Sequence, residues 1–441
     1  MVKTIKSFWN RLKLILSNNT LMKRLAITIG LILVIRVCSH ITVPLFDATS
    51  IQAFMKQNGS FVAILNNFSG QALERFSILS LGITPYITAS IITQMLQMVI
   101  PSFKEWSEQG EQGKAKMNRI NRYLAIVLAL IQAFALILGV SPAGSAINWT
   151  LPIPEAWQNR YFYYFIMALA MTAGTALCIF IADIITAKGV GNGASILIAA
   201  GIVTSFPTMW ASLWQKYVTG YTKWTDGLFF AIIILIYIGI LVGIIYMELA
   251  KRKIPIQYAN RQGKSDSHIP LKINSGSVIP VIFASTILSI PLTLISLVKT
   301  QNTFTSWMNA SFDYRQPIGF ALYIILIIVF SFFYSFLTIN PNKIAENLSN
   351  SNAYIPGVRP GEETKDFVAK LLFKVTVIGT FYLVILAITP IVTSLVFGFT
   401  SSEASYITIG GTSLLIVVGV GMETASQMET DASQAEYSGL L

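Results

Sequence analysis

The side chains able to make or break bonds are few and scattered. The chain holds two cysteines, Cys38 and Cys178, both in apolar runs, and two histidines, His40 and His268, far apart. None of these spacings suits a metal site, a disulfide framework or a Ser-His-Asp or Cys-His set, so no catalytic residue, metal or cofactor is expected. "GEQGK" at 110–114 has the wrong spacing for a phosphate-binding loop, and "GVGNG" at 189–193 reads as a tight turn between two apolar runs. The informative pattern is "LGITPYITASIITQML" at 81–96. If helical, Ile83 and Ile87 share a face, and Ser80, Thr84 and Thr88 make a second stripe at the same spacing. Lipid alone does not call for a row of hydroxyls, whereas a pathway through the membrane does. Arg36 and Asp183 are the main ionisable groups in apolar runs. A proton- or ion-coupled transporter needs more intramembrane carboxylates, so the energy for transport is expected from outside the chain.

Such residues need spanning helices to hold them. Of 441 residues, 54% are hydrophobic and 12% charged, and the mean hydropathy is +0.63. Soluble domains are about 25% charged. Apolar runs of about 20 residues, enough to cross a bilayer, occur about ten times. They fall near 25–44, 76–100, 122–140, 162–187, 193–212, 227–247, 276–298, 317–338, 371–397 and 406–422. The first follows Lys23 and Arg24 and lacks a small-residue cleavage site, so it reads as a retained helix. The net charge of +11 is spread over loops and is not a nucleic-acid footprint. With both termini cytoplasmic, about 23 Lys and Arg lie inside and about 7 outside, the positive-inside bias. The inside set includes the basic residues of 3–24, 104–122, 251–272 and 343–374.

The expected organisation is a cytoplasmic segment 1–24, a first half 25–205, an external linker 206–226, a second half 227–422 and a cytoplasmic tail 423–441. Five spans on each side of the linker suggest two halves of an inverted repeat. The linker reads equally as a hinge or an ordinary connection. Between the first two spans, "SFVAILNNFSGQALERF" at 60–76 is too polar to span. Phe61, Ile64, Leu65 and Phe68 share a face if helical, and Ser69-Gly70 would end that helix. Periodicity alone favours a surface helix here over one folded back into a cavity. Two long internal loops, within 248–275 and 339–366, read as contact surfaces or as a solvated basic rim. Arg359 in the second lies between Pro356-Gly357 and Pro360-Gly361, turn-forming pairs expected to hold its guanidinium in place.

Six segments in order, "LGITPYITASIITQ", "GVGNGASILIAAGIV", "HIPLKINSGSVIPVIFASTIL", "NPNKIAENL", "IPGVRPGEET" and "GGTSLLIVVGV", resemble the signature segments of the SecY family, the central subunits of bacterial protein-conducting channels. The resemblance runs from about Arg11 to the end of the last span. It implies an all-α polytopic membrane protein of two pseudo-symmetric five-helix halves around an hourglass pore, with 206–226 as the hinge. Spans two and three would face seven and eight across a lateral gate. The family's pore ring falls on Ile83, Ile87, Ala194, Ile198, Ile282 and Ile416, with Ala194 departing from the usual isoleucine. Without the resemblance, lipid-facing or core isoleucines are the better reading. The resemblance makes 60–76 a plug beneath the ring, where Phe61, Ile64, Leu65, Asn66, Asn67, Phe68, Ser69 and Gly70 would leave a watery funnel easily. It makes Arg252, Arg261 and Arg359 docking residues for the motor SecA or a translating ribosome, with SecE and SecG as membrane partners. Secretory preproteins and membrane lipids complete the expected partners. Relatives end in a basic tail, but no Lys or Arg follows Lys374, and Glu423, Glu429, Asp431 and Glu436 do. The alternatives are an accessory paralogue serving fewer substrates, a solute transporter, or a scaffold without a continuous pore.

Overall fold

In hydrocarbon every backbone N–H and C=O must be paired within the chain, so long apolar runs fold as helices. The computed structural model describes residues 18–43, 66, 69–140, 160–219, 224–258, 267–297, 303–312, 316–396 and 411–438. The first half holds α1 (Asn19–Cys38), α2 (Thr84–Val99), α3 (Pro101–Glu108), α4 (Glu111–Val140), α5 (Arg160–Lys188) and α6 (Gly193–Trp214). The second holds α7 (Trp224–Leu249), α8 (Ile279–Leu297), α9 (Thr303–Phe312), α10 (Pro317–Thr338), α11 (Pro341–Asn350), α12 (Glu362–Val396) and α13 (Gly411–Ser438). Each expected span overlaps a helix among the described residues. Among the described residues six stretches are long and apolar enough to cross a membrane: Glu111–Leu138, Phe162–Lys188, Gly193–Thr219, Gly227–Leu249, Pro317–Asn350 and Glu362–Pro390.

Helices α2, α4 and α5 pack in sequence, as do α8, α10 and α12. The two sets meet where α8 lies against α4 and α2; on another side α13 packs on α6, α7 and α12. Ala125, Ala129 and Ala133, four apart on α4, are fully buried and let neighbouring backbones come close. Only 11% of the most apolar stretch of α7 is buried, which leaves its side chains for lipid.

Several expectations change. The segment 206–219 is helical, not a linker: α6 runs through Pro207 to Trp214 and continues as a π turn, Gln215–Thr219. Trp210 on Tyr237 and Trp214 on Phe230 fasten that end of α6 to α7. The connection shrinks to 220–223, outside the described residues. The charged stretch 101–122 is a helical turn-back through α3 into α4. Helix α13 continues through the acidic tail to Ser438. There Asp431 pairs with Arg24 of α1 at 2.9 Å.

The fold is also not purely helical. The first long loop contains β1 (Lys251–Pro255) and β3 (His268–Lys272), paired antiparallel with Lys251 opposite Lys272 and Ile254 opposite Ile269. Strand β2 (Gln257–Tyr258) pairs with β4 (Ala353–Tyr354) from the second loop. The loops are too polar to span and carry turn residues, so local pairing satisfies their backbone.

Candidate functional site: an apolar constriction, its polar base and a two-loop platform

Ile83, Ile87, Ile198 and Ile416 are buried in one apolar cluster, and Ala194 and Ile282 pack against it half-buried. Four helices and one N-cap bring them together. Gly82 at φ +53 and Pro85 in the first turn delay the start of α2 to Thr84, so Ile83 is its N-cap. Ile87 N–H still bonds the Ile83 carbonyl at 3.1 Å, which keeps the two side chains stacked. On α6, Asn192 caps the helix by accepting from Ala194 N–H and Ser195 N–H. Gly191 supplies the positive φ (+75) of the preceding turn, as the glycines of 189–193 led one to expect. Gly193 sits against α5: a Cβ there would lie 1.9 Å from the Ala182 carbonyl oxygen.

The hydroxyl stripe of α2 and its approach is enclosed within the helices. Ser80, Thr84 and Thr88 are buried. Ser80 Oγ donates to the carbonyl of Ser77 at 2.6 Å and Thr88 Oγ1 to that of Thr84 at 3.1 Å. These two hydroxyls bond their own turns, while Thr84 Oγ1 is buried without a hydrogen-bond partner.

Of the expected plug, Phe61, Ile64, Leu65, Asn67 and Phe68 lie outside the described residues. Its base is a polar knot. Buried Asn66 accepts from Gln71 N–H at its carbonyl (2.8 Å) and from Glu74 N–H at Oδ1 (3.1 Å). Ser69 Oγ donates to the Asn66 carbonyl at 3.1 Å. Gly70 and Gln71 both take positive φ, +67 and +66, a sharp turn after Ser69. The bonds of Asn66 and Ser69 all stay within 66–74 and fold that stretch on itself. Arg36 donates to the carbonyls of Gly70 and Ala200.

The platform has its own core: Ile254, Ile256, Leu271, Leu348, Ala353, Ile355 and Val368 are buried together. Arg252 stands exposed on β1, and Arg261 lies outside the described residues. Arg359 is flanked by Gly357 at φ +84 and Gly361 at φ +100. Its carbonyl accepts from Thr364 Oγ1 at 2.8 Å, which pins the backbone at the start of α12. The guanidinium is not held as expected: its side chain is 87% exposed, with Glu363 at 3.8 Å. Beneath the platform, Asn274 donates to buried Glu248 at 2.8 Å and to the Ser277 carbonyl at 3.2 Å. Sequence reasoning passed over that pair and the carbonyl clamp of Arg36. The one available signal was a lone arginine at the end of an apolar helix.

Long apolar helices packed on a shared apolar cluster, with two long loops joined in a core of their own, define a multi-span membrane protein. Solved structures of the same fold include one titled the structure of a protein conducting channel, with TM-score 0.62 and 17% identity over 93% of each chain. Another concerns the plug domain of the SecY protein, with TM-score 0.64 and 18% identity over 93% of this chain and 92% of that one. A third is Sec61 in the canine ribosome-channel complex, with TM-score 0.59 and 17% identity over 93% of each chain. A sequence profile of the SecY family matches residues 77–425. The protein translocase subunit SecY of Bacillus subtilis (strain 168) is 40% identical over the full length of both chains. That of Staphylococcus aureus (strain NCTC 8325) is 39% identical over 100% of this chain and 99% of its own. The chain belongs to the SecY family, whose members are channel subunits rather than enzymes.

Proposed function

We propose that this chain is the channel-forming subunit of a bacterial protein translocase. It lies in the cytoplasmic membrane with both termini and the two-loop platform inside. Unfolded secretory proteins cross through the constriction of Ile83, Ile87, Ala194, Ile198, Ile282 and Ile416. Aliphatic side chains there exclude water and grip any peptide without reading its sequence. Transmembrane segments leave sideways into lipid where α8 and α10 part from α2 and α4. The segment 60–76 plugs the idle channel. The observation that supports this reading is that Ile83, Ile87, Ile198 and Ile416 belong to one buried apolar cluster against which Ala194 and Ile282 pack, in a chain of the SecY family.

Energy then comes through the platform. Arg252, Arg261 and Arg359 offer cationic forks to acidic protein surfaces or to phosphates. SecA and the ribosome are the partners this chemistry fits, and two structures of the same fold are titled as ribosome complexes. SecE would clamp the two halves and SecG would sit at the periphery. Reconstitution with SecE, SecG and SecA in liposomes tests the reading. ATP should drive a secretory preprotein into protease protection. Arg359→Glu should abolish protection, by at least about tenfold for one lost charge-assisted contact, while the complex still assembles. Absence of protection with a folded wild-type complex rejects motor-driven transport. Normal transport by the variant rejects Arg359 as a docking residue.

A further inference from the structure

Arg36 stands near the end of α1, far along the chain from both groups it bonds. Nη1 donates to the Gly70 carbonyl at 3.2 Å and Nη2 to the Ala200 carbonyl. Gly70 lies inside the proposed plug segment 60–76, and Ala200 lies two residues beyond Ile198 on α6. One planar fork thus ties α1, the plug base and the helix carrying Ala194 and Ile198. A lysine, with a compact point charge, does not match two carbonyls held in that fork geometry. Gly70 is shaped around the contact: its φ is +67, and a Cβ there would lie 2.3 Å from Nη1 of Arg36. A second bond runs in parallel, from Gln71 Nε2 to Thr208 Oγ1 on α6 at 2.6 Å.

We propose that Arg36 is a positioning residue for channel closure, latching the plug base to the constriction-bearing helix. The inference rests on the plug reading of 60–76. Moving the plug shifts the Gly70 carbonyl and leaves a half-buried guanidinium with one carbonyl fewer. That cost biases the equilibrium toward the closed state, and removing the latch removes the bias.

The test is the resting ion leak of the purified complex in liposomes, without motor or substrate. Four variants are compared: Arg36→Met, Arg36→Lys, Gly70→Ala and a deletion of 61–65. Arg36→Met and Gly70→Ala should each raise the leak by about tenfold or more, the shift expected from one charge-assisted hydrogen bond. Together they should leak no more than the stronger alone, because both break one contact. Arg36→Lys should fall between wild type and Arg36→Met. A deletion that stays tight defeats the plug reading. A deletion that leaks while Arg36→Met and Gly70→Ala stay tight, or single effects that simply add, overturns the latch. A lowered melting midpoint with an unchanged leak makes Arg36 merely structural and also overturns it. If Arg36→Met fails to accumulate, Arg36→Lys and Gly70→Ala decide by the same leak.

Discussion

The constriction and the platform solve opposite problems with the same chain. In the membrane, aliphatic side chains from distant helices close on one another, and polar groups turn inward onto backbone: Thr88 onto Thr84, Arg36 onto Gly70 and Ala200. At the platform the backbone is what is held, by strand pairing, glycine turns and a buried aliphatic core. The side chains that would meet a partner, Arg252 and Arg359, are left outward. Where water is scarce an unpaired polar group is costly, so polar atoms are spent internally. Where water is plentiful an arginine stays free for binding at little cost, and rigidity is needed only in the backbone beneath it.

That contrast can be broken from either side. The largest effect is expected at the platform core. Ile254→Ala removes a fully buried side chain and should cost about 2–5 kcal/mol. Proteolysis should then cut the two loops faster and motor-driven transport should fall, with the resting leak unchanged. A leak that rises with it would mean that platform and constriction are one cooperative unit. Next, Ile416→Asn places an amide in the apolar cluster, where burial without a partner costs about 1–3 kcal/mol. The closed channel should leak about tenfold more while the loops stay as protease-resistant as before. Equal leak in wild type and variant would remove Ile416 from the barrier. The smallest effect is expected where α13 meets α1. Arg24 and Asp431 are both about half exposed, and such pairs contribute about 0.2–1 kcal/mol. Asp431→Asn should lower the melting midpoint by no more than a few degrees, and less in high salt. A larger loss would show that the acidic tail is a structural brace.

Much of the scaffold was legible in the sequence because its signals are local. Apolar length marks helices in lipid, and Gly189, Gly191 and Asn192 mark the turn into α6. Pro356-Gly357 and Pro360-Gly361 likewise marked turns on either side of Arg359, where Gly357 and Gly361 take φ values of +84 and +100. The same pattern could not say whether the guanidinium was fixed too, because that depends on neighbours brought by the fold. The linker expected at 206–226 failed for a related reason. Pro207 and the polar residues after it weaken a helix locally, yet Trp210 and Trp214 hold it on α7. Tertiary packing outweighs a propensity of a few kcal/mol.

The amino-acid sequence by itself determined that this is a multi-span membrane protein, where its helices lie and which side chains are small or aliphatic enough for a narrow constriction. Those properties follow from hydropathy and spacing over about 20 residues. Only the tertiary structure decided that β2 reaches across to β4 and that Arg36 holds Gly70 and Ala200. Each of those outcomes is a choice of hydrogen-bond partner. In a medium without water that choice goes to whichever acceptor the folded chain brings within about 3 Å, and no run of neighbouring residues encodes that distance.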